Sequence, residues 1–240
     1  MNIFMWSGPR NVSTALMRSF ENRKDTFVID EPFYAYYLNK TKKNHPLRDE
    51  IIKKYPNNEK DVIKIIMNNP QNNKLIYYQK HMTHHILDKT PIDWISKGIN
   101  CFLLRDPKEV INSYIKKNNI NDSSDIGFPS QLKIFEKANK FSKKTIVINS
   151  KDLIKDPENT LKKLCDKLNI QFNNDMLNWP KGKRETDGIW SKVWYENVIN
   201  STGFSNKTNN KKEKIILPKK YEKLYEECLE IYNLINKYKI

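Results

Sequence analysis

Three groups of residues in this chain are of types that do chemistry. The first is the run Trp6-Ser7-Gly8-Pro9-Arg10-Asn11-Val12-Ser13-Thr14, which follows a short apolar stretch and opens a helical pattern. A turn there aims backbone N–H groups, two hydroxyls and a guanidinium at one point, at the positive end of a helix dipole. That arrangement cradles phosphate or sulfate. Ser13 alone reads as an ordinary helix cap; Arg10 with Ser13 and Thr14 reads as an anion site. The Gly-Lys-Ser/Thr ending of a nucleoside triphosphatase loop is missing. The second group is Arg105, in Arg105-Asp106-Pro107, with Ser113 two helical turns later. Arginine grips phosphate oxygens in pairs, which lysine cannot do.

The third group holds the candidates for proton transfer. Glu31 follows Asp30, and Lys80 stands next to His81, with His84 and His85 just beyond. Histidine titrates near neutral pH and suits proton removal, yet in an extended strand His81 faces away from Lys80. His84 and His85 equally well cap or line a following helix. The aromatic neighbours Phe33 and Tyr34 would push a carboxyl at position 31 upward in pKa. Alternatively, Asp30 and Glu31 pair with a cation such as Arg10. Glu31 and His81 are both candidates for a general base.

These residues need elements that bring them together, and the apolar pattern supplies them. Short apolar runs at 3–6, 27–29, 75–78, 101–104 and 145–148 alternate with helical patterns. The helical patterns fall at about 13–22, 47–55, 59–68, 157–168 and 218–238, with a further helix opening at Pro107. This predicts one α/β domain over 1–240, of three α/β/α layers around a mostly parallel sheet of about five strands. The polar clusters then fall just past the strand ends, where open parallel sheets bind ligands. Residues 180–206 show no clean period and are expected to form a long functional loop or lid. The stripe Tyr221, Leu224, Tyr225, Cys228, Leu229, Tyr232 and Ile235 is a core face.

Composition narrows the classes. Hydrophobic residues make up 38% and charged residues 30%, a globular balance. The net charge of +15 admits an anionic partner. Lys and Asn are abundant along the whole chain, so the charge reads as a solvated face more than as a nucleic-acid surface. Cys101, Cys165 and Cys228 are odd in number and lack metal-ligand spacing, so neither a disulfide framework nor a metal site is expected. Buried thiols in a reducing compartment fit, and with no signal-like or membrane-spanning stretch the expected location is cytoplasmic.

The first run resembles the 5′-phosphosulfate loop of sulfotransferases that use 3′-phosphoadenosine 5′-phosphosulfate (PAPS), with core Pro-Lys/Arg-Ser-Gly-Thr/Ser-Thr. Pro9, Arg10, Ser13 and Thr14 match, whereas Asn11 and Val12 replace Ser-Gly. The segment from Phe102 to Tyr114 is similar to the family's 3′-phosphate segment, with Arg105 and Ser113 in the liganding places. A third stretch, Ser150-Lys151-Asp152-Leu153 followed by Asp156-Pro157, resembles the family's strand-loop-helix.

The resemblance implies a P-loop-like fold and sulfuryl transfer from PAPS to a hydroxyl or amine of a small acceptor, leaving 3′-phosphoadenosine 5′-phosphate (PAP), without a metal. Arg10, Asn11, Ser13 and Thr14 would hold the 5′ end, and Arg105 and Ser113 the 3′-phosphate. Lys80 is similar to the lysine that contacts the sulfuryl group. The base in one branch is a His two residues past that lysine, where this chain has Met82, and in other branches a Glu. Pro180-Lys181-Gly182-Lys183-Arg184 with Asp187-Gly188-Ile189-Trp190 loosely resembles the loop that closes over the nucleotide, with Lys181 and Lys183 toward phosphate and Trp190 toward adenine. The rival readings are a Mg²⁺-dependent nucleotide kinase or hydrolase and a non-catalytic nucleic-acid-binding protein.

Overall fold

A computed structural model of the chain describes residues 1–68, 74–204 and 215–240. Five strands, β1 (Asn2–Ser7), β2 (Thr26–Asp30), β3 (Ile76–Met82), β4 (Ile99–Leu104) and β5 (Thr145–Asn149), form one sheet in the order β2-β3-β1-β4-β5. Every pairing is parallel. The expected mostly parallel sheet is thus wholly parallel, with helices on both faces.

The alternation of side chains along each strand builds both layers. Ile3 and Met5 of β1, with Leu103 and Ile148, pack on α1 (Ser13–Glu21) and on the helix Pro157–Leu168. Phe4 and Trp6, with Phe102 and Val147, face the opposite layer, where Ile134, Phe135 and Ala138 of the helix Phe128–Phe141 meet Ile235 near the C-terminus. Strands buried on both faces read as near-continuous apolar runs, which is why the runs were visible.

Several elements differ from expectation. The helices α2 (Tyr34–Thr41) and Phe128–Phe141 lie where no helix was expected. The second buries Phe128, Gln131, Ile134, Phe135 and Ala138 at helical spacing behind Gly127 and an early proline, a pattern that identifies it. Strand β3 runs on through Gln79, Lys80 and His81, every residue buried. Polar residues there lie within the strand and do not mark its end: Gln79 Nε2 donates to the carbonyl of Ile66 at 2.7 Å.

The 180–204 part of the expected loop or lid is packed as a strap; residues 205–206 of that expectation lie outside the described residues. It carries two short helices, α3 (Ser191–Trp194) and α4 (Glu196–Ile199). Both carboxylate oxygens of Asp187 accept from Nη2 of Arg18 at 2.7 Å, clasping the strap to α1. The C-terminal helix begins later than expected, at Glu222–Asn236, and its stripe buries Tyr221, Cys228 and Ile235 as a core face.

Candidate active site

A cavity of about 880 Å³ opens at the carboxyl ends of the central strands. β1 lies between β3 and β4, so the chain leaves it to one side and returns to the other; this is the switch point where such sheets bind ligands. Pro9 to Ala15 form one wall and Arg105 adjoins them.

The loop after β1 is held by close approach. A Cβ at Gly8 would meet the carbonyl oxygen of Ile126 at 2.6 Å, so only glycine fits. Arg10 and Val12 take left-handed conformations, with φ of 65° and 67°. For a β-branched residue that is a strained state, and Val12 occupies the place of the family's Gly. The loop therefore keeps a glycine-type backbone without the glycine. Asn11 is buried and donates from Nδ2 to the carbonyl of Leu103 at 3.1 Å. Its side chain anchors the loop to β4 where Asn11 lines the cavity.

No side chain among the described residues caps α1, which leaves the N–H groups of its first turn open to a ligand. Among the described residues no hydrogen bond engages the hydroxyls of Ser13 and Thr14. Nε of Arg10 donates to Oγ of Ser113 at 2.9 Å, and Nη1 of Arg105 donates to the carbonyl of Arg10 at 2.5 Å. Asp106 caps the helix Pro107–Tyr114, accepting from the N–H of Lys108 at 2.8 Å, and so sets where Ser113 stands. Burial and then the charge of Arg105 hold the Arg10 guanidinium below its ordinary range. Arg105 has Glu109 as a partner; Arg10 faces no carboxylate among the described residues. Two like charges brought near each other beside a helix N-terminus favour an anion.

The opposite wall is built on β2 and β3. Asp30 and Lys80 are register partners on adjacent strands. Nζ of Lys80 donates to Oδ1 of Asp30 at 2.8 Å, Oε1 of Glu31 at 2.6 Å and the hydroxyl of Tyr195 at 2.6 Å. Burial pulls Lys80 down, but Asp30 and Glu31 outweigh it and the group sits above its ordinary range. Burial pushes the Glu31 carboxyl up, with Lys80 opposing and Asp30 reinforcing. Glu31 lines the cavity from a left-handed backbone, φ 43°.

His45, His84 and His85 also line the cavity. Burial pushes His84 down to about 3 and His85 well below its usual range. His85 stacks on Tyr34 at a ring separation of 4.7 Å.

Four predicted residues stand elsewhere. His81 points into the far layer, as alternation requires, stacked on Trp6 at 4.6 Å and bonded to Gln79. Burial pushes it down to about 3, and it does not reach the cavity. Lys181 and Lys183 are exposed on the strap and do not line the cavity. Trp190 is buried, sharing its N–H between Asp30 and Tyr195 at 3.1 and 3.2 Å, so its ring supports the wall from behind. Sequence reasoning missed Tyr195 as a member of the wall. The aromatic density of residues 190–195 was its only trace.

Comparison with known proteins decides the family. The profile described as "Sulfotransferase domain" matches residues 1–226. The chain belongs to the sulfotransferase family. This sulfotransferase-family chain is similar in fold to the sulfotransferase domain from the curacin biosynthetic pathway, with a TM-score of 0.64 at 18% identity over 98% of this chain and 96% of that one. It is similarly related to the sulfotransferase domain of the Synechococcus PCC 7002 olefin synthase, with a TM-score of 0.63 at 14% identity over 98% and 94%. In Arabidopsis thaliana, "Branched-chain-amino-acid aminotransferase-like protein 1" is 35% identical over 97% of this chain. The chain spans 41% of that relative's length.

Proposed function

We propose that this sulfotransferase-family chain transfers a sulfuryl group from PAPS to a hydroxyl or amine of a small acceptor. The observation that carries this reading is the meeting of Arg10 and Arg105 at the N-terminus of α1, in the same cavity as the largely buried carboxyl of Glu31. The residues fit the donor: Arg10, the first-turn N–H groups of α1, Ser13 and Thr14 take the 5′ end, and Arg105 with Ser113 the 3′-phosphate.

The acceptor oxygen or nitrogen attacks sulfur while the bond from sulfur to the bridging phosphate oxygen breaks. The electron pair leaves with that oxygen, and PAP is the product. Charge growing there meets Arg10 and the helix dipole; loss of one such preorganised donor typically costs about 10²–10³ in rate. The acceptor's proton passes to Glu31, whose raised pKa brings it closer to the working pH of a general base. Lys80 already has three acceptors, so we assign it the counter-charge beneath Glu31 instead of direct contact with the sulfuryl group. The three cysteines are free and buried, in keeping with a reducing cytoplasm.

The names of the Arabidopsis relatives raise an aminotransferase reading. It draws no support from Lys80, the one fully buried lysine among the described residues, which is ion-paired to two carboxylates.

Calorimetry with PAP and with AMP tests the donor assignment. PAP should bind at least tenfold tighter, a difference of about 1.4 kcal/mol; equal affinities would remove the basis of the proposal. Mass spectrometry of metabolite mixtures incubated with PAPS and the protein then reveals the acceptor by its added sulfuryl mass.

A further inference from the structure

Four side chains meet at the hydroxyl of Tyr195, between α3 and α4. Nζ of Lys80 lies at 2.6 Å, the carboxylate oxygens of Asp30 at 2.7 and 2.9 Å, Oε1 of Glu31 at 3.1 Å and Nε1 of Trp190 at 3.2 Å. Lysine and tryptophan can only donate, and a phenol has one proton to give and two lone pairs to offer. Lys80 and Trp190 therefore fill the lone pairs, and the phenol proton is directed at the carboxylates. Glu31 is left asymmetric by this arrangement. Its Oε1 accepts from Lys80 and shares the single phenol proton with the nearer Asp30 oxygens, while Oε2 has no hydrogen bond among the described residues and only the 4.0 Å approach of His85 Nδ1.

We propose that Tyr195 is a positioning residue for sulfuryl transfer: with Lys80 it pins Oε1 of Glu31 and leaves Oε2 as the atom that takes the acceptor's proton. This rests on the reading of Glu31 as the base. The charged and titratable groups facing Glu31 are Asp30 from β2, Lys80 from β3, His85 from the turn after β3, Tyr34 from α2 and Tyr195 from the strap. The bond from Tyr195 favours the charged carboxylate, as does Lys80, whereas burial and Asp30 disfavour it. Removing the phenol proton should therefore make Glu31 harder to ionise.

The test titrates Glu31 directly and needs no acceptor. In protein labelled with ¹³C at the glutamate carboxyls, Glu31→Gln identifies the Glu31 signal by its loss. Tyr195→Phe keeps the ring and its packing. Its Glu31 midpoint should rise by about one pH unit, the worth of a hydrogen bond to a charged group, with PAP affinity unchanged by calorimetry. A purely structural tyrosine would lower the melting temperature and leave the midpoint in place, which overturns the proposal. Should Tyr195→Phe not fold, Tyr195→3-fluorotyrosine keeps the hydroxyl and makes it a stronger donor; the midpoint must then fall, and an unmoved signal overturns the proposal equally. Sulfuryl transfer surviving in Glu31→Gln would instead sink the base reading, whatever Tyr195 does to the titration.

Discussion

Arg10 donates from Nε to the hydroxyl of Ser113 at 2.9 Å, across 103 positions of sequence. The bond fastens the loop after β1 to the helix after β4, and with Arg105 on the carbonyl of Arg10 it makes one anion-binding unit of two segments. Arg10→Ala is expected to weaken PAP binding by about 10- to 100-fold, the worth of one charge-assisted contact. Ser113→Ala should weaken it by about fivefold. Neither should lower the melting temperature appreciably, because Arg10 is held beside a like charge. Calorimetry with PAP and thermal melts read the two effects separately.

Val12 carries the left-handed turn that a glycine would make without strain. Val12→Gly should stabilise the protein by about 1 kcal/mol, the usual cost of that conformation less the added freedom of the unfolded chain. PAP affinity should hold. Urea unfolding measures this; a loss of stability would mean that contacts of the half-buried valine outweigh its strain.

Glu31→Gln should reduce turnover at least 100-fold, the usual contribution of a general base, and leave PAP binding intact. Because the carboxyl must be ionised to act and burial pushes it up, wild-type activity should fall as pH drops through its raised pKa. A pH-rate profile with any acceptor found by the mass-spectrometric screen checks both points.

Burial pushes His81 and His84 down to about 3 from an ordinary value of 6.5. Between those values the unfolded chain binds protons that the folded chain refuses, so stability is present above pH 6.5 and drains away on acidification. The slope is up to about 1.4 kcal/mol per pH unit for each such histidine. His81→Phe should flatten the dependence of melting temperature on pH between 7 and 5. It should also leave sulfuryl transfer per folded molecule unchanged, since His81 is away from the cavity.

Asp187 and Arg18 form a buried ion pair, with side chains 3% and 1% exposed. Asp187→Ala leaves the guanidinium with Glu21 alone and should cost roughly 3 kcal/mol. Arg18→Met combined with Asp187→Leu, which removes both charges, should be less destabilising than Asp187→Ala. Denaturant titrations of the three variants settle the order.

The ends of β1 and β4, with the arginines just past them, were legible because each is local: an apolar run followed within a few residues by Arg10 or by Arg105. That His81 turns away from Lys80 was legible too, from the period of a strand. Partners distant along the chain were not. Nothing near Lys80 announces Tyr195, 115 residues on, and nothing near Arg18 announces Asp187, 169 residues on. The cation expected to pair with Asp30 and Glu31 proved to be Lys80, because the register of β2 on β3 sets Asp30 beside it, and register is a property of the whole sheet. Lys181 and Lys183 were misplaced because a strap's folding path follows from its anchors, Arg18 and Asp30, which its own sequence does not contain.

The central position of β1 separates two tasks in space. Everything proposed to hold the nucleotide hangs from β1 and β4, and everything proposed to receive the acceptor hangs from β2, β3 and the strap. Preference for a new acceptor can thus be sought by changing Tyr34, His45, His84 or Trp194 on one half of the sheet, with the donor machinery on the other half left untouched.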